Sequence, residues 1–382
     1  MEKDRGKPPD WAPENGGDAF AVSIRRGVAG GHDGLPSNRE TAPTEGKVHR
    51  ARSLSVDEHV RGVLDRDRGV LARTITLIES NAPRHAQTAR QVLNHLQPHA
   101  GGSLRVGITG VPGAGKSTFI EALGLYLIER GHRVAVLAVD PTSSVTGGSI
   151  LGDKTRMEKL SRRQECFIRP SPSGGNLGGV ARKSRETILV CEAAGFDVIL
   201  VETVGVGQSE ITVRSMVDFF LLLMIAGAGD ELQGIKKGVI EIADALLVNK
   251  ADGANRARAA AARSEYALAL KYLTPATPGW RPRAATVSAL TGDGVPDTWQ
   301  MVEEFAALTR DSGVFAERRR RQAEDWVFAL IEEHLKTTFY RDPRVKAAIP
   351  DMRRRIDRGE ILPTAAAEHL LHLFAEDPEK DK

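Results

Sequence analysis

From about Ser55, apolar residues recur at three- and four-residue spacings: Val60, Val63 and Leu64, then Val70, Leu71, Ile75 and Ile78. That spacing puts them on one helical face. Pro83 interrupts the pattern, and Ala89, Val92, Leu93 and Leu96 mark a further helix ending at Pro98. Between residues 104 and 295 the rhythm changes. Short β-rich runs (Arg105–Thr109, Val134–Val139, Val198–Val201, Phe219–Ile225, Ala245–Val248, Ala285–Val287) alternate with helical stretches such as Thr118–Arg130, Arg182–Ala194 and Asn255–Tyr272. Several runs are apolar without alternation, as parallel strands covered on both faces are. This predicts an α/β fold built on a doubly wound, mostly parallel sheet. After about Ala316 the chain turns helical and charged. Trp326, Val327, Leu330, Ile331 and Leu335 form an apolar stripe, and helical segments follow over 343–357 and 364–374.

The chain has 382 residues, 41% hydrophobic and 27% charged, which suggests two or three units at about 100–200 residues per domain. Residues 1–50 hold 8 Gly and 5 Pro, too little apolar surface to offset their ordering entropy, so a disordered tail is expected. The predicted plan is a Gly/Pro-rich tail over 1–54, an N-terminal helical segment over 55–100, a nucleotide domain over 101–315 and a C-terminal helical arm over 316–382. Lys+Arg 53 against Asp+Glu 50 leaves a net charge of +3, no electrostatic reason for nucleic acid or an anionic membrane. The basic runs Arg318–Arg321 and Arg353–Arg355 read as solvated helix faces. Cys166 and Cys191 belong to no CxxC or Cys/His cluster, against a disulfide framework or a cysteine zinc site. The longest strictly apolar run, Phe219–Ala226, falls far short of the ~20 residues that span a bilayer. Residues 1–30 lack an apolar signal block and carry several acids, so a soluble, cytoplasmic protein is expected.

Gly110-Val111-Pro112-Gly113-Ala114-Gly115-Lys116-Ser117 fits GxxxxGK[ST] at every fixed position, between a predicted strand and a predicted helix beginning near Thr118. Backbone N–H groups of such a loop wrap the α- and β-phosphates. Lys116 would bridge β- and γ-phosphates, and the Ser117 hydroxyl would ligate Mg²⁺. Downstream, Asn249-Lys250-Ala251-Asp252 follows an apolar strand, at a carboxyl end where ligands bind in such sheets. A carboxylate there accepts both the ring N1–H and the exocyclic N–H of guanine, whereas adenine's bare N1 lone pair would be repelled. Asn249 would brace the loop and Lys250 cover the base. Ser288-Ala289-Leu290, after the next strand, would offer backbone contact to the guanine oxygen. The nucleotide read from these residues is GTP or GDP.

Asp140 and Glu202 each close a predicted strand, and Asp153 lies in Gly152-Asp153-Lys154-Thr155-Arg156. Mg²⁺ keeps several waters, so one or two of these carboxylates suffice. Glu202-Thr203-Val204-Gly205 resembles a DxxG element with Glu for Asp, and the Gly205 N–H could sense the γ-phosphate. The next residue is Val206, which cannot orient an attacking water as a glutamine does. Slow intrinsic hydrolysis is therefore expected, with a catalytic group from another loop, another subunit or a partner; the candidates in this chain are Gln208 and the 227–238 segment with Lys236 and Lys237.

The runs Val106–Ser117, Val139–Ser144, Gly147–Met157, Phe167–Ser171, Val201–Glu210 and Gly229–Gly238 together closely resemble the MeaB/ArgK/MMAA GTPases. The likeness covers roughly residues 55–375. It implies a homodimeric P-loop GTPase of the SIMIBI class with a C-terminal dimerisation arm. Such a protein is a chaperone of an adenosylcobalamin-dependent acyl-CoA mutase, most directly methylmalonyl-CoA mutase, gating cofactor loading, protection and removal of damaged cofactor. Carried over, the magnesium environment falls on Ser117, Asp140, Asp153 and Glu202, and the guanine site on Asn249, Lys250 and Asp252. The catalytic lysine of the third switch loop falls on Lys236. The segment Leu223-Met224-Ile225-Ala226-Gly227 departs from the Leu-Pro-Gly that the resemblance leads one to expect there.

No DxHxxG motif occurs among the 10 histidines, so no cobalamin site of its own is expected and the partner would hold that cofactor. The other readings are a GTPase metallochaperone for a different enzyme and a kinase-like ATPase of amino-acid transport. The former lacks a His-rich tract for nickel, and the latter lacks a segment giving access across a membrane.

Overall fold

The computed structural model describes residues 53–139, 157–170, 177–203, 209–227 and 237–375. The tail predicted over 1–54 lies almost wholly outside them. Seven strands form one sheet: β1 Leu104–Gly110, β2 Val134–Val139, β3 Cys166–Arg169, β4 Val198–Thr203, β5 Phe219–Ile225, β6 Ala245–Asn249 and β7 Arg283–Thr286. Their order is β3-β2-β4-β1-β5-β6-β7, and every neighbouring pair is parallel. Val106 on β1 sits level with Leu200 on β4 and Phe219 on β5. Strands β4, β5 and β6 are buried at nearly every position, which is why their sequences are apolar without alternation.

The helices are α1 Val56–Leu64, α2 Arg68–Glu79, α3 Pro83–Leu96, α4 Lys116–Glu129, α5 Glu158–Ser161, α6 Leu177–Ala193, α7 Ser209–Arg214, α8 Lys237–Glu241, α9 Arg256–Lys271, α10 Val295–Asp311, α11 Val314–Arg341, α12 Pro343–Asp357 and α13 Pro363–Ala375. The crossover from β1 to β2 runs one way along the sheet and that from β3 to β4 runs the other. Right-handed crossovers therefore place α4 and α6 on opposite faces. Helices α1 to α3 pack on α6 and α10 packs on α4. Local sequence sets these ends. Ser55 and Glu58 form a reciprocal capping box at α1. Asp67 accepts from the Gly69 and Val70 amides to start α2, and Pro83 opens α3 at its first turn.

Helix α11 corrects one expectation from the sequence. Of the run Arg318–Arg321, only Arg320 and Arg321 are solvated; Arg318 and Arg319 are turned inward, to 14% and 18% exposure. Arg319 grips Asp218 with both arms of its fork, Nε to Oδ1 at 2.8 Å and Nη2 to Oδ2 at 2.7 Å. It also donates to the Gly101 and Ser103 carbonyls. Arg318 donates to the Asp218 carbonyl and to Thr277, beside Asp244. Burial pulls the Arg318 pKa down to about 10. Burial acts the same way on Arg319, but its bonds and charge contact with Asp218 outweigh it and raise the pKa. Next to this clamp, burial opposes ionisation of Glu192, yet Arg105 and hydrogen bonds from Ser103 and Gly101 hold the carboxyl below its ordinary pKa. The first turns of α11 are thus bolted to the amino ends of β1 and β5.

Beyond that clamp Trp326 and Leu330 are half-buried, while Val327, Phe328, Ile331 and Leu335 are exposed on one face. Helices α12 and α13 close against the end of α11, with Phe339 and Phe374 edge-on at 5.4 Å. Cys166 and Cys191 are buried free thiols, and burial pushes Cys166 up to about 12. Among the described residues no helix is long and apolar enough to cross a membrane.

Candidate nucleotide site

The site is assembled at the carboxyl ends of β4, β1, β5, β6 and β7, where a parallel sheet presents its loops to ligands. Gly110 ends β1 so close to β5 that a Cβ at this position would lie 2.2 Å from the Leu223 carbonyl oxygen. Only glycine lets the chain leave the strand there. Gly115 turns into α4 at φ +84°, with the Asn249 amide nitrogen 2.8 Å from where a Cβ would be. Between them Val111 and Ala114 are buried, while Pro112 and Gly113 face solvent. Lys116 folds back over the loop, its Nζ donating to the Gly110 carbonyl at 3.0 Å and the Val111 carbonyl at 3.5 Å. A cation and the first turn of a 14-residue helix converge here, an arrangement suited to phosphate.

Ser117 Oγ donates to Glu202 Oε1 at 3.0 Å, and Glu202, at the end of β4, is buried. A hydroxyl and a carboxylate side by side next to the phosphate loop form a hard-oxygen donor pair that fits Mg²⁺ with waters completing the shell. Beneath them Thr203 Oγ1 donates to Thr109 Oγ1 at 2.7 Å, tying the ends of β4 and β1 together. Sequence reasoning did not single out these two threonines; their β-branched, buried positions look like ordinary strand residues.

On the other side Asn249 is buried at the end of β6 and links two loops. Its Nδ2 donates to the Ala114 carbonyl at 2.7 Å and its Oδ1 accepts from the Ala289 amide at 3.1 Å. The asparagine therefore bridges the phosphate loop and the 288–290 segment. Lys250 adopts φ +61°, uncommon for a side-chain-bearing residue, with its carbonyl held by Asn255 Nδ2 at 2.7 Å. Its side chain is exposed. Ser288 Oγ donates to Asp252 Oδ2 at 2.6 Å, so the serine side chain fixes the carboxylate, a role the sequence did not reveal. A tight turn back from Gly292 N to the Ser288 carbonyl leaves Leu290 projecting, 81% exposed.

Gly110 to Thr118, Ser117 with Glu202, and Asn249, Lys250 and Asp252 with Ser288, Ala289 and Leu290 are therefore brought to one end of the sheet. Asp140, Asp153, Gly205, Gln208 and Lys236 lie outside the described residues. In the sequence, Asp140 comes one residue after β2 and Gly205 two residues after β4.

The parallel sheet and its glycine loop define a P-loop protein, and the comparisons narrow this to a GTPase. Residues 71–344 match the model of the methylmalonyl Co-A mutase-associated GTPase MeaB, and the chain belongs to that family. It is 50% identical over 278 residues to GTPase ArgK of Escherichia coli, covering 73% of this chain and 84% of that one. It is 44% identical to the mouse mitochondrial methylmalonic aciduria type A homolog, covering 87% and 82%. The crystal structure of a LAO/AO transport system kinase superposes with a TM-score of 0.69 at 37% identity, covering 84% and 98%.

Proposed function

We propose that this GTPase is a chaperone of an adenosylcobalamin-dependent acyl-CoA mutase, with methylmalonyl-CoA mutase as its partner. The observation that carries this reading is the match of residues 71–344 to a family described by its association with that mutase. In this reading the amides of Gly110 to Thr118 wrap the phosphates, and Lys116 bridges the β- and γ-phosphates. Ser117 and Glu202 hold Mg²⁺, joined by Asp140 and Asp153. The ion would neutralise charge on the β- and γ-oxygens. Asp252, fixed by Ser288, reads guanine; Asn249, Lys250, Ala289 and Leu290 frame the base. Gly205 senses the γ-phosphate, and Gln208 and Lys236 act on the attacking water and the transferring phosphoryl group. Hydrolysis is slow until the mutase binds, and the nucleotide state gates cobalamin loading, protection and removal. The mutase, not this chain, holds the cobalamin.

Reciprocity at equilibrium gives the test. If the mutase distinguishes the nucleotide states, its affinity for the chain must differ between them, by about 5–150-fold for ordinary coupling. Surface-bound mutase titrated with the chain loaded with a non-hydrolysable GTP analogue or with GDP measures that ratio. Equal affinities would overturn the chaperone reading. Radiolabelled phosphate transferred to a partner protein, in place of free phosphate, would favour the transport-kinase reading.

The stripe of Val327, Phe328, Ile331 and Leu335 supports a homodimer in the same reading, since a twofold axis lets one apolar helix face cover its own copy. Phe328→Asp with Leu335→Asp is expected to convert a dimer into monomers in sedimentation velocity. Wild-type chain sedimenting as a monomer at micromolar concentration would refute the dimer.

A further inference from the structure

At the opposite end of the sheet, where β2, β3 and β4 begin, lies a cavity of about 360 Å³. Three arginines line it, Arg66 from the α1–α2 turn, Arg68 at the start of α2 and Arg133 from the residue before β2, together with Glu165 and Phe196. Their charges are poorly matched. Arg68 Nη1 donates to two neutral carbonyls, Arg163 at 3.0 Å and Gln164 at 3.2 Å. Glu165 is already shared with Arg163 at 3.7 Å. The nearby Asp197 is taken by His132 Nδ1 and by the Arg133 backbone amide, each at 2.7 Å. Arg133 lies over the Phe196 ring at 5.4 Å, and its Nε is buried with no hydrogen-bond partner among the described residues. Burial first, then the like charges of Arg66 and Arg68, lower the Arg133 pKa despite the two carboxylates.

Arg66 is the left-handed residue that ends α1, its amide donating to the Val63 carbonyl and the Asp67 amide to the Gly62 carbonyl. Arg66 itself sits at φ +65°, in the left-handed region that costs a side-chain-bearing residue energy. Facing it, Gly195 at φ +79° would place any Cβ 3.2 Å from Arg66 Nε and Nη2. The ends of α1 and α6 thus bring Arg66 beside Gly195, next to Arg133 and Arg68.

We propose that this cavity is a second anion site, built for a phosphate ion or a phosphate monoester and separate from the nucleotide loop. Guanidinium forks match the paired oxygens of phosphate, and the volume is that of a small-molecule site. The bound anion completes the charge balance of the three arginines. It also ties the α1–α2 turn to the starts of three strands.

The test uses the full chain saturated with a non-hydrolysable GTP analogue, so that the nucleotide loop is filled. Inorganic phosphate and phenyl phosphate are then titrated calorimetrically, with hexaglutamate as the acidic-peptide control. One site per chain is expected, weakening as salt rises. Loss of a charge-assisted contact predicts at least about tenfold weaker binding in Arg66→Gln and in Arg133→Gln. Gly195→Ala, which keeps all three arginines and crowds the Arg66 fork at 3.2 Å, is expected to weaken binding less than either arginine variant. GTP turnover should be unchanged in all three, and urea midpoints verify their folding. Tighter phenyl phosphate identifies a phosphate carried on a larger molecule; tighter inorganic phosphate identifies the free ion. No binding of either, undiminished binding in the folded variants, or hexaglutamate binding tighter than both would overturn the proposal.

Discussion

Asp218→Ala is expected to destabilise the protein by about 3–5 kcal/mol, the cost of removing one member of a buried ion pair. The aspartate is 1% exposed, and it receives both arms of Arg319 together with the Arg105 amide at 2.8 Å. Truncating it leaves the Arg105 amide and two arms of a largely buried guanidinium without their carboxylate acceptor. The same change loosens the base of α11, because Arg319 is one of the two arginines that fasten that helix to the sheet. The paired replacement Asp218→Leu with Arg319→Met removes both charges and should recover most of the loss, since apolar substitutes for a buried pair are commonly neutral or stabilising. Urea unfolding of Asp218→Ala and of the four proteins in the Asp218→Leu/Arg319→Met cycle measures this. A loss below about 1 kcal/mol for Asp218→Ala would mean that the clamp does not anchor the arm.

The arginine run shows what the sequence could and could not reveal. Four consecutive arginines on a helix look solvated because a lone charge is costly to bury. Nothing near them in the chain points to Asp218, about a hundred residues earlier. Strand β3 was missed for a related reason. It is four residues long, follows Glu165 and ends in Arg169, so it shows neither alternation nor an apolar run. Strands β2, β4, β5 and β6 were legible to within a few residues because double burial leaves a largely apolar signature, whereas β7, exposed or half-buried throughout, overlaps its predicted run only at Ala285 and Thr286. The phosphate loop was legible because its chemistry is local: glycines, a lysine and a hydroxyl within eight consecutive positions. Asn249 was only half legible. Its motif flagged it, but its grip on Ala114, 135 residues away, depends on β6 and β1 being separated by β5 alone.

Long-range placement also decides how sharply the base is read, and here the largest functional effect is expected. Asp252→Ala should weaken GTP binding by about 10²–10⁴, as two charge-assisted hydrogen bonds at roughly 1.5–3 kcal/mol each are lost. ATP binding should change by no more than about threefold, because adenine offers no N1–H for the carboxylate to accept. Selectivity therefore collapses even though the phosphate grip survives. Ser288→Ala separates orientation from charge. It removes the 2.6 Å bond that fixes Asp252 Oδ2 and keeps the carboxylate, so GTP affinity should fall about tenfold while guanine remains preferred. Calorimetry with GTP and ATP on the three proteins distinguishes these outcomes. If Asp252→Ala bound GTP as tightly as the unmodified chain does, the carboxylate would not be the base reader. The bond from Ser288 would then be a loop contact between β6 and β7 and nothing more.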